Sequence, residues 1–229
     1  MKPIKIFVLL LFFVAHGNAQ VDCRAFIPTK KGAKWELTNY TAKDKPTGKI
    51  TYELLDKIVN GNDVTFKVKT TTIDKKNEVV FTNIFEAKCI DGIFDMNMAV
   101  KIDGSQLKAN NEMDVAVDAT KFEIPNMDAA AGTTLADGSL TVKVGTGPMN
   151  MNMTVSITDR IVESREQMTT PAGTFDCIVL SQNVSTKMII HVKAKSKEWY
   201  AENVGLIRSE SFNKKGKLMG YSLLTKLEL

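Results

Sequence analysis

Histidine is the scarcest chemically versatile residue in this 229-residue chain, which holds two, His16 and His191. His16 lies in an apolar leader, so one histidine remains to serve as base, proton shuttle or metal ligand. A Ser-His-Asp or Cys-His arrangement would have to be built on His191. That residue sits in Met188-Ile189-Ile190-His191-Val192, a strand-like run with no nucleophile motif beside it, and reads as an ordinary strand histidine. Neither a Gly-x-Ser-x-Gly elbow nor a phosphate-cradling glycine loop occurs. One histidine and three scattered cysteines give no metal-ligand spacing, so no metal and no cofactor is expected. Carboxylates are many but dispersed. Asp91 and Asp95 flank Ile93-Phe94, yet nothing favours them as a glycosidase pair. The chain is expected not to be an enzyme, and a hydrolase of envelope glycans or lipids is the weakest of three functional readings.

Cysteine is nearly as rare: Cys23, Cys89 and Cys177. An odd count leaves one thiol over, and three pairings are open. Cys177 alternates with Phe175 and Val179 in a strand-like run, which suits a buried free thiol. Cys23 stands in a loose N-terminal segment that gains most from being stapled, so Cys23–Cys89 is the expected disulfide. With almost no histidine to activate it, a catalytic thiol is not expected.

Long apolar runs are absent after the first. Lys2 and Lys5 precede an unbroken apolar stretch, Ile6 to Ala15, and small residues follow at Gly17 and Ala19. This is the pattern of a secretory signal peptide, too short to span a membrane as a mature helix. Residues 1–19 are read as that signal, cleaved after Ala19, and 20–229 as a single antiparallel β domain. The implied location is periplasmic or extracellular, where a disulfide can persist. Gln20-Val21-Asp22 before Cys23 fits a lipobox badly. No transmembrane segment is expected in the mature chain. One-signed charge is lacking too: losing the two leader lysines takes the net charge from +4 to +2, which makes no case for nucleic acid. The densest basic run, Lys193-Ala194-Lys195-Ser196-Lys197, reads as a solvated face or a charged, protective edge strand.

What the chain has is period-two alternation. Met149, Met151, Met153, Val155 and Ile157 share one face, and Asn150, Asn152, Thr154, Ser156 and Thr158 the other, the pattern of a half-buried strand. Val64/Phe66/Val68 and Leu140/Val142/Val144 repeat it. Asn60-Gly61, Asp91-Gly92, Asp103-Gly104, Asp137-Gly138 and Asn213 to Gly216 are the turn signals between such runs. They predict an antiparallel meander. Helix signals are few: Ser105 to Asp114 has room for a turn or two, and Met96 to Ile102 is ambiguous. Pro125 to Asp137 reads as a crossing loop between two halves of one curved sheet.

Methionine supplies the remaining clue. Thioethers on Met149, Met151 and Met153 would stand about 7 Å apart along a strand, wide for sharing one copper ion. They continue into Val155 and Ile157, as an apolar wall does. Flexible methionine suits surfaces that take varied apolar guests.

Thr169-Thr170-Pro171-Ala172-Gly173-Thr174-Phe175-Asp176-Cys177 resembles the signature of the TapB-like exported bacterial family of unknown function. Gly32-Ala33-Lys34-Trp35, Asp91 to Met96, Ile124-Pro125, Gly132 to Gly138 and the closing Trp199-Tyr200-Ala201…Val204-Gly205-Leu206-Ile207 agree in order. The resemblance implies an all-β fold with minor helix: one strongly curved antiparallel sheet, a half-barrel or open barrel similar to periplasmic lipoprotein carriers. It brings no catalytic residues. The leading expectation is therefore non-catalytic binding of a lipid-like ligand or lipidated partner on the concave face, lined by Met149, Met151, Met153, Met96, Met98 and Phe85. A structural or protein-interaction module of the cell envelope, with an envelope protein as partner, is the second reading.

Overall fold

The computed structural model describes residues 23–97, 115–144, 151–187 and 191–229. Thirteen strands run through them: β1 (Lys34–Thr41), β2 (Pro46–Asn60), β3 (Asp63–Asp74), β4 (Val79–Ile90), β5 (Ile93–Asn97), β6 (Val115–Ala119), β7 (Lys121–Ile124), β8 (Gly138–Val144), β9 (Met151–Thr170), β10 (Gly173–Lys187), β11 (His191–Ala201), β12 (Gly205–Asn213) and β13 (Leu218–Glu228). The described residues contain no helix. Met96 belongs to β5, and the candidate helical stretch 105–114 lies outside the described residues.

The turn residues account for the hairpins. Asp91 and Gly92 both take positive φ (51° and 79°) between the paired Ile90 and Ile93, the two-residue geometry whose twist matches the strands it joins. The side chain of Asp74 accepts hydrogen bonds from the backbone N–H groups of Lys76 and Glu78, closing the β3–β4 turn. Asn213 does the same for Lys215 and Lys217.

All thirteen strands form one antiparallel sheet in the order β6-β8-β9-β10-β11-β12-β13-β1-β2-β3-β4-β5-β7. The hydrogen-bond ladder does not close, yet its two edge strands, β6 and β7, are consecutive in the chain with only Thr120 between them. One extended segment thus pairs with β8 through its first half and with β5 through its second. The sheet must curve until its edges lie within about two residue lengths of each other, some 7 Å. Residues 125–137 then carry the chain from one edge of the sheet, β7, to the other side at β8.

The curvature gives the sheet one core. Trp35, Leu54, Phe66, Phe94, Phe122 and Leu180 are buried on its inner face. The alternation read along β9 holds there: Met153 and Ile157 are buried while Asn152 is exposed. Of the two readings of the basic run, the solvated face holds and the edge strand does not: Lys193 and Lys195 are exposed, and β11 is flanked by β10 and β12, so these lysines protect no edge.

Candidate apolar site at the plugged end of the sheet

The N-terminal segment, read from sequence as loose, is buried. Cys23 is disulfide-bonded to Cys89 of β4, with Cα atoms 5.9 Å apart. Ala25, Phe26 and Ile27 are at most 4% exposed. The β11–β12 turn clasps this segment from the other side: the Asn203 N–H donates to the Ala25 carbonyl at 2.7 Å. Gly205, at φ 107°, comes so close that a Cβ there would lie 2.7 Å from the Phe26 carbonyl oxygen. Only glycine combines that backbone angle with that approach.

Phe26 is thereby held as a plug. Its ring meets Phe94 edge-on at 6.0 Å and Tyr200 at 6.2 Å, the geometry ring quadrupoles favour. Above the plug lies a cavity of about 80 Å³ lined chiefly by Phe26, Trp35, Tyr52, Phe85, Met96 and Tyr200. Trp35 and Tyr52 are register partners on β1 and β2 and stack at 5.1 Å, nearly parallel. Tyr52, Phe85 and Leu206 are the half-buried members of the lining and mark its outlet. No charged side chain lines the cavity. Burial drives the Tyr200 phenol well above its ordinary pKa, and the Glu198 charge and the hydrogen bond Tyr200 donates to that carboxylate (2.7 Å) add to the effect. Tyr52 is raised by burial alone. Both stay neutral phenols, so the wall remains apolar at physiological pH.

Of the residues expected to line a binding face, Phe85 and Met96 are brought together at this cavity. Met153 is buried opposite Val142 and does not line it. Met151 opens β9 opposite Val144, while Met149 and Met98 lie outside the described residues. Cys177 is buried and free, and burial, helped by Asp176 and Glu166, pushes its thiol up to about 12. His191 accepts or donates a 2.5 Å hydrogen bond with the Ser185 hydroxyl, a neighbour that sequence separation did not suggest.

Sequence reasoning missed Arg160. It is 2% exposed and sits beside the seam. Its guanidinium donates to the Ala136 carbonyl (2.8 Å) and the Glu123 carbonyl (2.6 Å), reaches Gln182 Oε1 at 3.4 Å, and stacks on the Phe122 ring at 3.8 Å. Burial pulls its pKa below the usual arginine value, while Tyr200, Glu198, Glu123 and Asp137 oppose that shift. The cation thus bridges β7 to the segment entering β8 where the ladder is missing.

Residues 30–224 match the DUF3108-like family. The chain belongs to that family. Two solved structures are similar to this DUF3108-like chain. A "putative lipoprotein" from Parabacteroides distasonis is 23% identical with a TM-score of 0.80, over 90% of this chain and 100% of the other. A "putative exported protein with YmcC-like fold" from Bacteroides fragilis is 25% identical with a TM-score of 0.81 over the same shares. No curated protein matches. Two of the motifs that carried the sequence resemblance lie at turns of this DUF3108-like sheet. Pro171-Ala172 is the two-residue loop between the paired Thr170 and Gly173, and Val204-Gly205 is part of the clasp on Phe26.

Proposed function

We propose that this chain is an exported, non-catalytic binding protein of the bacterial envelope, whose cavity takes the end of a lipid-like group. The observation that carries the reading is the apolar cavity, walled by rings from four strands and the N-terminal plug and opening past Tyr52, Phe85 and Leu206. Its size decides what it takes. Whole small-molecule ligands fill about 300–1,000 Å³, and a dry cavity of about 150 Å³ holds benzene. At about 80 Å³ the cavity has room for the last carbons of an acyl chain, with the remainder lying outside its mouth. Export is supported by the Lys2–Ala19 pattern and by the names of the two similar structures, one called a lipoprotein and one an exported protein. A carrier-like use of the curved sheet for lipid or lipidated partners is the finer form of the same proposal.

Trp35 makes the test direct, because it is one of two tryptophans and lines the cavity, whereas Trp199 donates its indole N–H to Glu166 outside it. A fatty acid brominated near its methyl end should quench the Trp35 emission saturably in the W199F variant. Native mass spectrometry of protein from its own envelope should show a bound acyl species. Absence of both would overturn the proposal and leave the protein-interaction reading.

A further inference from the structure

A second concave site lies on the outer face of the sheet, near the start of β11. Register sets its floor. Ser156, Ser185 and Lys193 form one rung across β9, β10 and β11, and Thr158, Asn183 and Lys195 form the next. His191 joins the first rung through its bond to Ser185. Lys214, from the β12–β13 turn, supplies a further wall, and the cleft measures about 480 Å³. Its one lining carboxylate, Asp159, receives hydrogen bonds from Asn183 Nδ2 (2.6 Å) and Thr158 Oγ1 (3.3 Å). Among the described residues, Lys193, Lys195 and Lys214 have no acidic partner. One rung further along, Lys197 is paired with Glu163 at 3.4 Å and lies over the Trp199 ring. Within this patch of β11 and the β12–β13 turn, the positive charge thus exceeds the single lining carboxylate.

We propose that this cleft binds a phosphate group carried by its ligand. Three lysines line the cleft beside Ser156, Ser185 and Asn183, and their ammonium groups are hydrogen-bond donor capacity for a tetrahedral oxyanion. Lysine recognises phosphate as a point charge with three movable donors, whereas planar carboxylates are best matched by the arginine fork, and no arginine lines the cleft. The volume accommodates the phosphate and part of the group that bears it. The site is independent of the apolar cavity: Lys193 and Tyr200 project from opposite faces of β11 and stand about 23 Å apart along it.

The experiment is a 31P NMR titration of the full chain with inorganic phosphate, paired with co-sedimentation on phosphatidylcholine vesicles with and without phosphatidic acid. A saturable 31P shift is expected. K193A/K195A should weaken binding by about tenfold or more, whereas K193R/K195R, which keeps the charge, should retain most of it. K67A/K69A, on a distant strand, should leave it unchanged. Sedimentation only with phosphatidic acid assigns the phosphate to a lipid headgroup; phosphate binding without sedimentation assigns it to a soluble phosphorylated ligand, and both uphold the site. No saturable shift, or K193A/K195A binding as tightly as the unaltered chain, would overturn it.

Discussion

Arg160 is the residue on which the seam turns. A buried cation is retained where its donors meet acceptors that would otherwise be orphaned, and here the acceptors are two main-chain carbonyls on either side of the missing ladder. Arg160→Met keeps the side chain long and apolar but strands the carbonyls of Glu123 and Ala136. Hydrogen bonds from a charged donor contribute about 1.5–3 kcal/mol each, so urea denaturation should show a loss of roughly 2–4 kcal/mol. An unchanged midpoint would mean that the seam does not depend on this clip. Glu36, on the outer face of β1, gives a pH-dependent counterpart. Burial alone would raise its pKa. The hydrogen bonds from Lys49 (3.0 Å) and Thr225 (3.0 Å), with the charges of Lys49 and Lys226, outweigh burial and leave it below its ordinary 4.5. A carboxylate depressed in the folded state contributes stability in full above its unfolded pKa and loses it as pH falls through the folded value. The melting temperatures of the unaltered chain and Glu36→Gln should therefore differ at neutral pH and converge as pH falls below 4.5. A difference that stays constant into acid would assign the effect to packing.

At the scale of elements, the disulfide and the β11–β12 turn act on the same segment. Cys23 and Cys89 close a separation of 66 residues, for which loop-closure entropy in the unfolded chain is about 4 kcal/mol. Replacing both cysteines by serine should lower stability by roughly 2–5 kcal/mol. Because Phe26 is also held by Asn203 and Gly205, the cavity wall should persist, read as Trp35 emission unchanged in native buffer. A red-shifted Trp35 in folded protein would show that the staple alone seats the plug. These elements also mark what a sequence can disclose. Hairpins such as β4–β5 were legible because Asp91-Gly92 states its backbone angles locally, and β9 because Met153 to Ile157 alternates without interruption. Arg160 was not legible. Asp159 takes φ 53° at a bulge opposite Gln182, and the extra residue shifts the inward phase from Ile157 to Arg160 and Val162. Counting by twos from Ile157 points to Asp159, which is exposed. Phe26 escaped notice for a different reason: it lies in no regular element, and its burial depends on the disulfide to Cys89 and on the β11–β12 turn, both far along the chain.

At the scale of the whole molecule, the closing of the sheet is a property of connectivity. The edges could have ended anywhere on the surface, but β6 and β7 are one segment, so the first and last rungs of the ladder are tied by Thr120. That residue remains anchored to β8: its N–H donates to the Ser139 carbonyl (2.9 Å), and its hydroxyl accepts from the Ser139 N–H (2.8 Å). Such a tie restricts how far the two edges can separate, and with them how far the core can open to a guest. Lengthening the tie tests this. Two glycines inserted after Thr120 should let the β7 carbonyl of Glu123 drift from Arg160 and cost about 2 kcal/mol or more. The same insertion in the β3–β4 turn, after Lys75, lengthens a solvent-exposed connection, where added loop length costs under about 1 kcal/mol. Equal losses from the two insertions would show that the edges are held by core packing alone. A larger loss at Thr120, with Trp35 more accessible to acrylamide, would identify the seam as the place where this sheet opens.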